Sequence, residues 1–393
     1  MPIDLRQLGS KCRRIRDEIL GITLEDAAER TGIEPHRLDA IEGGRDEPTG
    51  DEVLILADVY GEPVDYFITS ERSASIEKAS DLYRMYGDSF SPQDRQNIQE
   101  FLRLCRMEDE IESLLGARPR VFDFQPGPTN SYLKIHGRLT AEKLRRDMGM
   151  GDRPLDNPFG LGRTLGCHVF RRALHNSSVS GLTLHHDSFG PCILVNYIED
   201  TYRQNFSVVH ELCHALLDND CNVTVTFQRE SDEKVLDRQR REWRANSFAA
   251  HLLFPQGVRE RMALGRTREE HVASILREAA NFKVNPVVVL FALREASRLT
   301  QEQVEGYKAL IRIPRDQKDD SDLAGEPSRI RERRASHLAV GLSPEYVSTC
   351  LRACREGQIS FGKLADALLV SPFELPALLA DLGHFLDLGD GPT

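Results

Sequence analysis

The chain has little of what marks a secreted or membrane-bound protein. Its longest apolar run, "NPVVVLFAL", is far shorter than the roughly 20 residues a helical bilayer span requires. The opening "MPIDLRQLGS" is polar and lacks the hydrophobic stretch of a secretory leader. Eight cysteines include no C-x-x-C pair, a pattern that suits reduced thiols better than a disulfide framework. Cys350 and Cys354 share a helix face, where packing is the expected role. These absences lead us to expect a cytoplasmic protein with no membrane contact.

What is present points to several domains. A chain of 393 residues exceeds one ordinary core, and 40% apolar residues are enough to fill more than one. The net charge of −11 is unevenly spread. Residues 1–70 hold eight Lys and Arg against sixteen Asp and Glu, a balance of −8, so the rest is close to neutral. Such acidity opposes nucleic acid, whose affinity comes largely from cations that release counterions.

Helix signals dominate the pass along the chain. In residues 1–70, "LRQLGSKCRRIRDEILG" runs to Gly21, and "ITLEDAAERTGI" has Thr23 as its cap and Gly32 as its stop. "EPHRLDAIEGG" then starts at Pro35, and a further helix is capped by Thr49 or Asp51. Two short helices joined through a glycine turn are the signature of a helix-turn-helix. A connector (71–116) follows, with a helix opened by Ser91-Pro92. Residues 117–310 mix helices with three short strand-like runs, "CHVFRRAL", "VSGLTLHH" and "PCILVNYI". A charged stretch (311–335) reads as a linker, and a helical module fills 336–393. In that module "ISFGKLADALLVSPFEL" aligns without gaps on "ITLEDAAERTGIEPHRL", placing Ala365 on Ala28, Pro372 on Pro35 and Leu375 on Leu38. The expected class is α+β and mostly helical, with a helix-turn-helix at the N-terminus and a divergent copy at the C-terminus.

The chemistry concentrates in "FSVVHELCHALLD". On a helix His210 and His214 project side by side and suit one tetrahedral ion. Glu211 points about 100° away, within reach of a water on the open side. Zn2+ is therefore the expected cofactor and Glu211 the expected general base. Downstream, "REWRANSFAAHLLFP" offers Glu242 as a third ligand, with Asn246 on the same face to accept the outer N–H of one histidine. Lone H-E-x-x-H matches also arise on ordinary polar helices. It is the register of Glu242 and Asn246 that argues for a metal here.

Together, "ILVN", "NFSVVHELCHALL" and "EWRANSFAAHLLFP" resemble the ImmA/IrrE-type metallopeptidases, and the first 70 residues resemble XRE-type helix-turn-helix domains. The resemblance covers residues 120–300 best. It implies a gluzincin-like zinc endopeptidase domain with zinc on His210, His214 and Glu242. It also implies a partner helix-turn-helix repressor as substrate, cut to release stress, mobile-element or defence genes. Cys213 departs from the family, which often has Gly there; packing is its expected role. Tyr197, Tyr202, Arg203, His185 and His186 stand near enough in sequence to supply an oxyanion donor, and "PCILVN" offers itself as an edge for substrate backbone.

DNA is a possible partner of residues 1–70. The presumed recognition helix presents His36 and Arg37, with Arg45 just beyond, against Glu34, Asp39 and Glu42. Arg13, Arg14 and Arg16 stand ready to touch phosphates, yet Leu24 replaces the Gln common at that point of the motif. An acidic unit of this kind suits docking to a basic protein at least as well as DNA. The competing reading of the whole chain is a DNA-binding regulator whose peptidase-like domain acts as a sensor.

Overall fold

The computed structural model describes residues 4–62, 64–69, 82–83, 90–116, 124–125, 132–175, 178–218, 223–227, 236–311, 320, 323 and 327–384. The first part of the expected connector and most of the expected charged linker lie outside the described residues.

The N-terminal unit contains helices Leu5–Arg14, Leu24–Thr31, Pro35–Glu42, Gly50–Tyr60 and Val64–Ile68, with a π-helical turn over Ile15–Leu20. Thr23 and Thr49 each close a capping box, with Asp26 and Glu52 respectively, satisfying backbone N–H groups at the helix starts. Leu8, Cys12, Ile19, Ala27, Leu38 and Ile41 are buried at the centre.

Helix Pro92–Leu114 is more than a connector. Ser91 caps it through a box with Asp94, and Ile98, Phe101, Leu104, Cys105 and Ile111 are buried along its length. They belong to one core shared with the N-terminal unit, one face of the sheet and the C-terminal helices. Phe101 meets Phe170 of the sheet edge-to-face at 6.3 Å, and each such buried ring contributes about 1.5–3 kcal/mol.

Four strands form the sheet: β1 (His168–Arg172), β2 (Val179–His186), β3 (Gly190–Asn196) and β4 (Val223–Phe227), in the order β1-β3-β2-β4. β1 runs parallel to β3, while β2 is antiparallel to both of its neighbours. Side chains alternate between two cores. Phe170, Cys192 and Leu194 face the Pro92–Leu114 helix, whereas Val169, Ile193 and Val195 face the motif helix Thr201–Leu217. This order overturns one expectation: "PCILVN" is β3, paired on both sides, and has no edge to offer. The edge beside β2 is β4 ("VTVTF"), a fourth strand beyond the three expected.

The motif helix packs against the long helix Leu236–Leu253, which in turn crosses helix Leu133–Asp147. At that second crossing a Cβ on Gly137 would stand 2.2 Å from the carbonyl oxygen of Arg244, so only glycine fits there. Helices Arg268–Asn281, Pro286–Glu295 and Gln301–Lys308 complete this side of the core.

The stretch expected as a linker is not all linker. Helix Ser328–Leu338 forms after Pro327, and Arg334 donates to the Leu382 carbonyl, which ties it to the C-terminal module. Asp320 also forms a nearly buried ion pair with Arg171 of β1 at 2.5 Å. Asp320 and Arg334 of the stretch expected as a linker are engaged in tertiary contacts.

The C-terminal repeat keeps the helix-turn-helix turn. Ser360 caps helix Phe361–Ala367 as Thr23 caps its counterpart. Leu369 has φ +57°, matching Gly32 at φ +68° in the aligned position. A leucine in that left-handed region carries strain of about 1–3 kcal/mol, held here by the surrounding packing. The second helix starts at Leu375, three residues later than the Pro372 start expected. Glu374 folds back instead, accepting from the backbone N–H and hydroxyl of Ser371.

Candidate metal centre

The motif helix brings His210, Glu211 and His214 to one face of the sheet, and all three are at least 98% buried. The Leu236–Leu253 helix delivers Glu242 to the same point. His210 Nε2 lies 3.1 Å from Glu242 Oε2 and 3.1 Å from His214 Nε2, and His214 Nε2 lies 3.5 Å from Glu242 Oε1. One ligand atom from each residue falls within 4.8 Å of the others.

The opposite ring nitrogens are already engaged. His210 Nδ1 is 3.2 Å from Asn246 Oδ1, and His214 Nδ1 is 2.7 Å from Asp218 Oδ2. Each acceptor draws the ring proton to Nδ1 and leaves Nε2 as a lone pair. Two such lone pairs 3.1 Å apart repel each other unless a cation lies between them. The edges of a tetrahedron of donors around zinc, with bonds of about 2.0–2.1 Å, measure about 3.3 Å. The donor set and its spacing fit a zinc ion.

Asp218 is a member of this constellation that the sequence reading missed. It accepts from Arg241 at 3.2 Å and from Arg244 as well as from His214. Burial pushes its carboxyl up, but the hydrogen bonds and charges of His214 and Arg244 outweigh burial and hold it below the usual carboxylate range. It stands four residues after His214, so the spacing H-x-x-x-D was the available signal.

Glu211 is set from the sheet. Its Oε2 accepts from the Thr183 hydroxyl at 2.7 Å, while Oε1 takes no hydrogen bond from the described residues. Burial raises its carboxyl above the ordinary range. Gly181, two residues before Thr183 on the same face of β2, leaves the space for it. A Cβ there would lie 3.0 Å from Glu211 Cγ, Glu211 Oε1 and the Leu194 carbonyl oxygen. Gly181→Ala is expected to push Glu211 out of place and reduce turnover, with zinc content unchanged by elemental analysis.

Cys213 is fully buried in the core beneath the motif helix, and burial pushes its thiol up, away from the reactive thiolate. Of the five residues near enough in sequence to act as an oxyanion donor, only Arg203 lines the cleft beside His210. Tyr202 is buried, His185 Nε2 lies 3.2 Å from the Ala215 carbonyl oxygen, His186 stacks on Phe189 at 3.6 Å, and Tyr197 sits beside Arg171.

The cations expected on the helix-turn-helix surface are largely engaged within the chain. Arg37 pairs with Glu52 at 2.8 Å and Asp46 at 3.2 Å and donates to the Glu47 carbonyl; Arg45 pairs with Asp39. Arg16 is buried against Glu42 rather than free for phosphate, Arg13 sits 3.7 Å from the same carboxylate, and Arg14 pairs with Glu18. His36 is exposed, and no ion pair joins it to the described residues.

The described residues thus join a helix-turn-helix unit to an α+β domain with a buried His/His/Glu cluster. Comparison with known families agrees. A helix-turn-helix domain model matches residues 6–65, and the peptidase M78 model, the IrrE N-terminal-like domain, matches residues 163–294. Residues 6–65 are thus similar to helix-turn-helix domains and residues 163–294 to IrrE-like peptidase domains. No curated protein matches it. Among the described residues no helix is long and apolar enough to cross a membrane.

Proposed function

We propose that the chain is a zinc-dependent endopeptidase that cleaves a partner helix-turn-helix repressor and so releases the genes it holds. The observation that carries this reading is the convergence of His210, His214 and Glu242 with Glu211 seated beside them. Bound there, zinc would polarise the scissile carbonyl and acidify a water. The protein's own part follows from the geometry. Asn246 and Asp218 orient the two imidazoles, and Thr183 fixes one oxygen of Glu211. The other oxygen, Oε1, is the one available to take a proton from water and pass it to the leaving amine. A sensor without turnover would have no use for that carboxylate.

The N-terminal unit then serves to dock the basic repressor. Its −8 charge and the internal pairing of Arg37 and Arg45 support protein docking over groove reading. Co-expression with the helix-turn-helix repressor encoded nearest to it tests the proposal. A discrete cut with the wild type, absent with Glu211→Gln, is expected; an uncut repressor in both cases would refute it.

A further inference from the structure

Beside the His210/His214/Glu242 cluster lies a cleft of about 360 Å³. The motif helix lines it with Arg203, Phe206, Ser207 and His210, at the i, i+3, i+4 and i+7 spacing of one helix face, and the helix starting at Pro286 adds Val287 and Val288. Phe206, Val287 and Val288 supply its apolar surface, and among the described lining residues Arg203 is the one Lys or Arg.

The neighbourhood of Arg203 shows which group the cleft offers. Glu199 is buried, with its carboxylate oxygens accepting from Ser180 Oγ at 2.9 Å and Ser207 Oγ at 3.1 Å. Arg203 stands 3.5 Å from Glu199, and its side chain stays 43% exposed. The carboxylate is thus covered by hydroxyls, while a guanidinium with five N–H donors spends little of that capacity inside the protein. A carboxylate of a bound peptide is the planar group that matches those donors.

We propose that Arg203 selects substrates carrying an acidic side chain near the cut bond. Arg203 precedes His210 by seven residues, or two helical turns, about 10.5 Å along the axis. An extended peptide advances about 3.3 Å per residue, so the acidic residue stands about three positions from the scissile bond. Phe206, Val287 and Val288 line the path between. This inference rests on the peptidase reading and adds a sequence preference to it.

The test is cleavage-site profiling by mass spectrometry, with the zinc-loaded full chain acting on a synthetic peptide pool of randomised sequence. The wild type is expected to favour Asp or Glu at two to four positions from the cut by about tenfold. Arg203→Ala should flatten the preference, and Arg203→Glu should turn it toward Lys and Arg. A merely structural role for Arg203 would lower all cuts alike without reversing the charge preference. Arg203→Lys, which keeps the charge, should retain the acidic preference in weakened form. Wild-type cuts with no acidic enrichment, or enrichment surviving in Arg203→Glu, would overturn the inference while leaving the peptidase reading intact. An absence of any cut that Glu211→Gln removes would overturn both.

Discussion

Glu211→Gln is expected to lower the cleavage rate by about 10²–10⁴-fold while leaving zinc bound. The size follows from what the amide loses. Its geometry matches the carboxylate, and the Thr183 hydroxyl still finds an oxygen acceptor. It cannot accept a proton from water, so the step that generates the nucleophile and protonates the leaving amine loses its carrier. Glu211 is not among the three clustered donors, and the two histidines keep their orienting partners Asn246 and Asp218. The check is the rate of repressor cleavage beside zinc content for the same preparations. A variant that keeps cutting at the wild-type rate would remove Glu211 from the chemistry.

Glu242→Ala should act on the metal itself. It deletes one of the three proposed ligands and leaves two imidazole lone pairs facing each other in a buried site. Zinc affinity should therefore fall by more than the roughly 10–100-fold typical of losing an orienting partner. Asp218→Asn supplies that smaller reference, because an amide oxygen can still accept from His214 but carries no charge. Competition titration with a chromogenic chelator would rank the two variants. If Asp218→Asn weakened zinc more than Glu242→Ala, Glu242 would not be the ligand. Trp243, the only tryptophan, follows Glu242 directly on the helix, with Lys134 over its ring at 5.2 Å. Its emission is expected to change on zinc removal in the wild type and to stay constant in Glu242→Ala.

Much of the fold was legible because the signals were local. Thr23, Gly32 and Pro35 mark helix ends through capping and backbone preference, which need no tertiary context. His210 and His214 could be read as neighbours from helical spacing, and Glu242 and Asn246 from the same geometry one helix later. What escaped depends on the fold as a whole. Gly181 and Thr183 meet Glu211 only because β2 packs on the motif helix, and nothing within either segment announces that contact. The interior place of β3 follows from its parallel pairing with β1 on one side and its antiparallel pairing with β2 on the other, a tertiary arrangement no local signal carries. Arg37 looked free for a ligand because its partner Glu52 lies fifteen residues away on another helix. Leu369 shows the reverse case. The repeat alignment placed it on Gly32, and the backbone adopts the left-handed turn there although leucine disfavours it.

The proposed activity depends on His210, His214 and Glu242 together holding a metal. Native mass spectrometry of the full chain after zinc loading and desalting tests it most directly. The account predicts one zinc per chain for the wild type and for Glu211→Gln, and none for a folded His214→Ala/Glu242→Ala double variant. A wild type that retains no zinc, or a double variant that retains as much as the wild type, would contradict it.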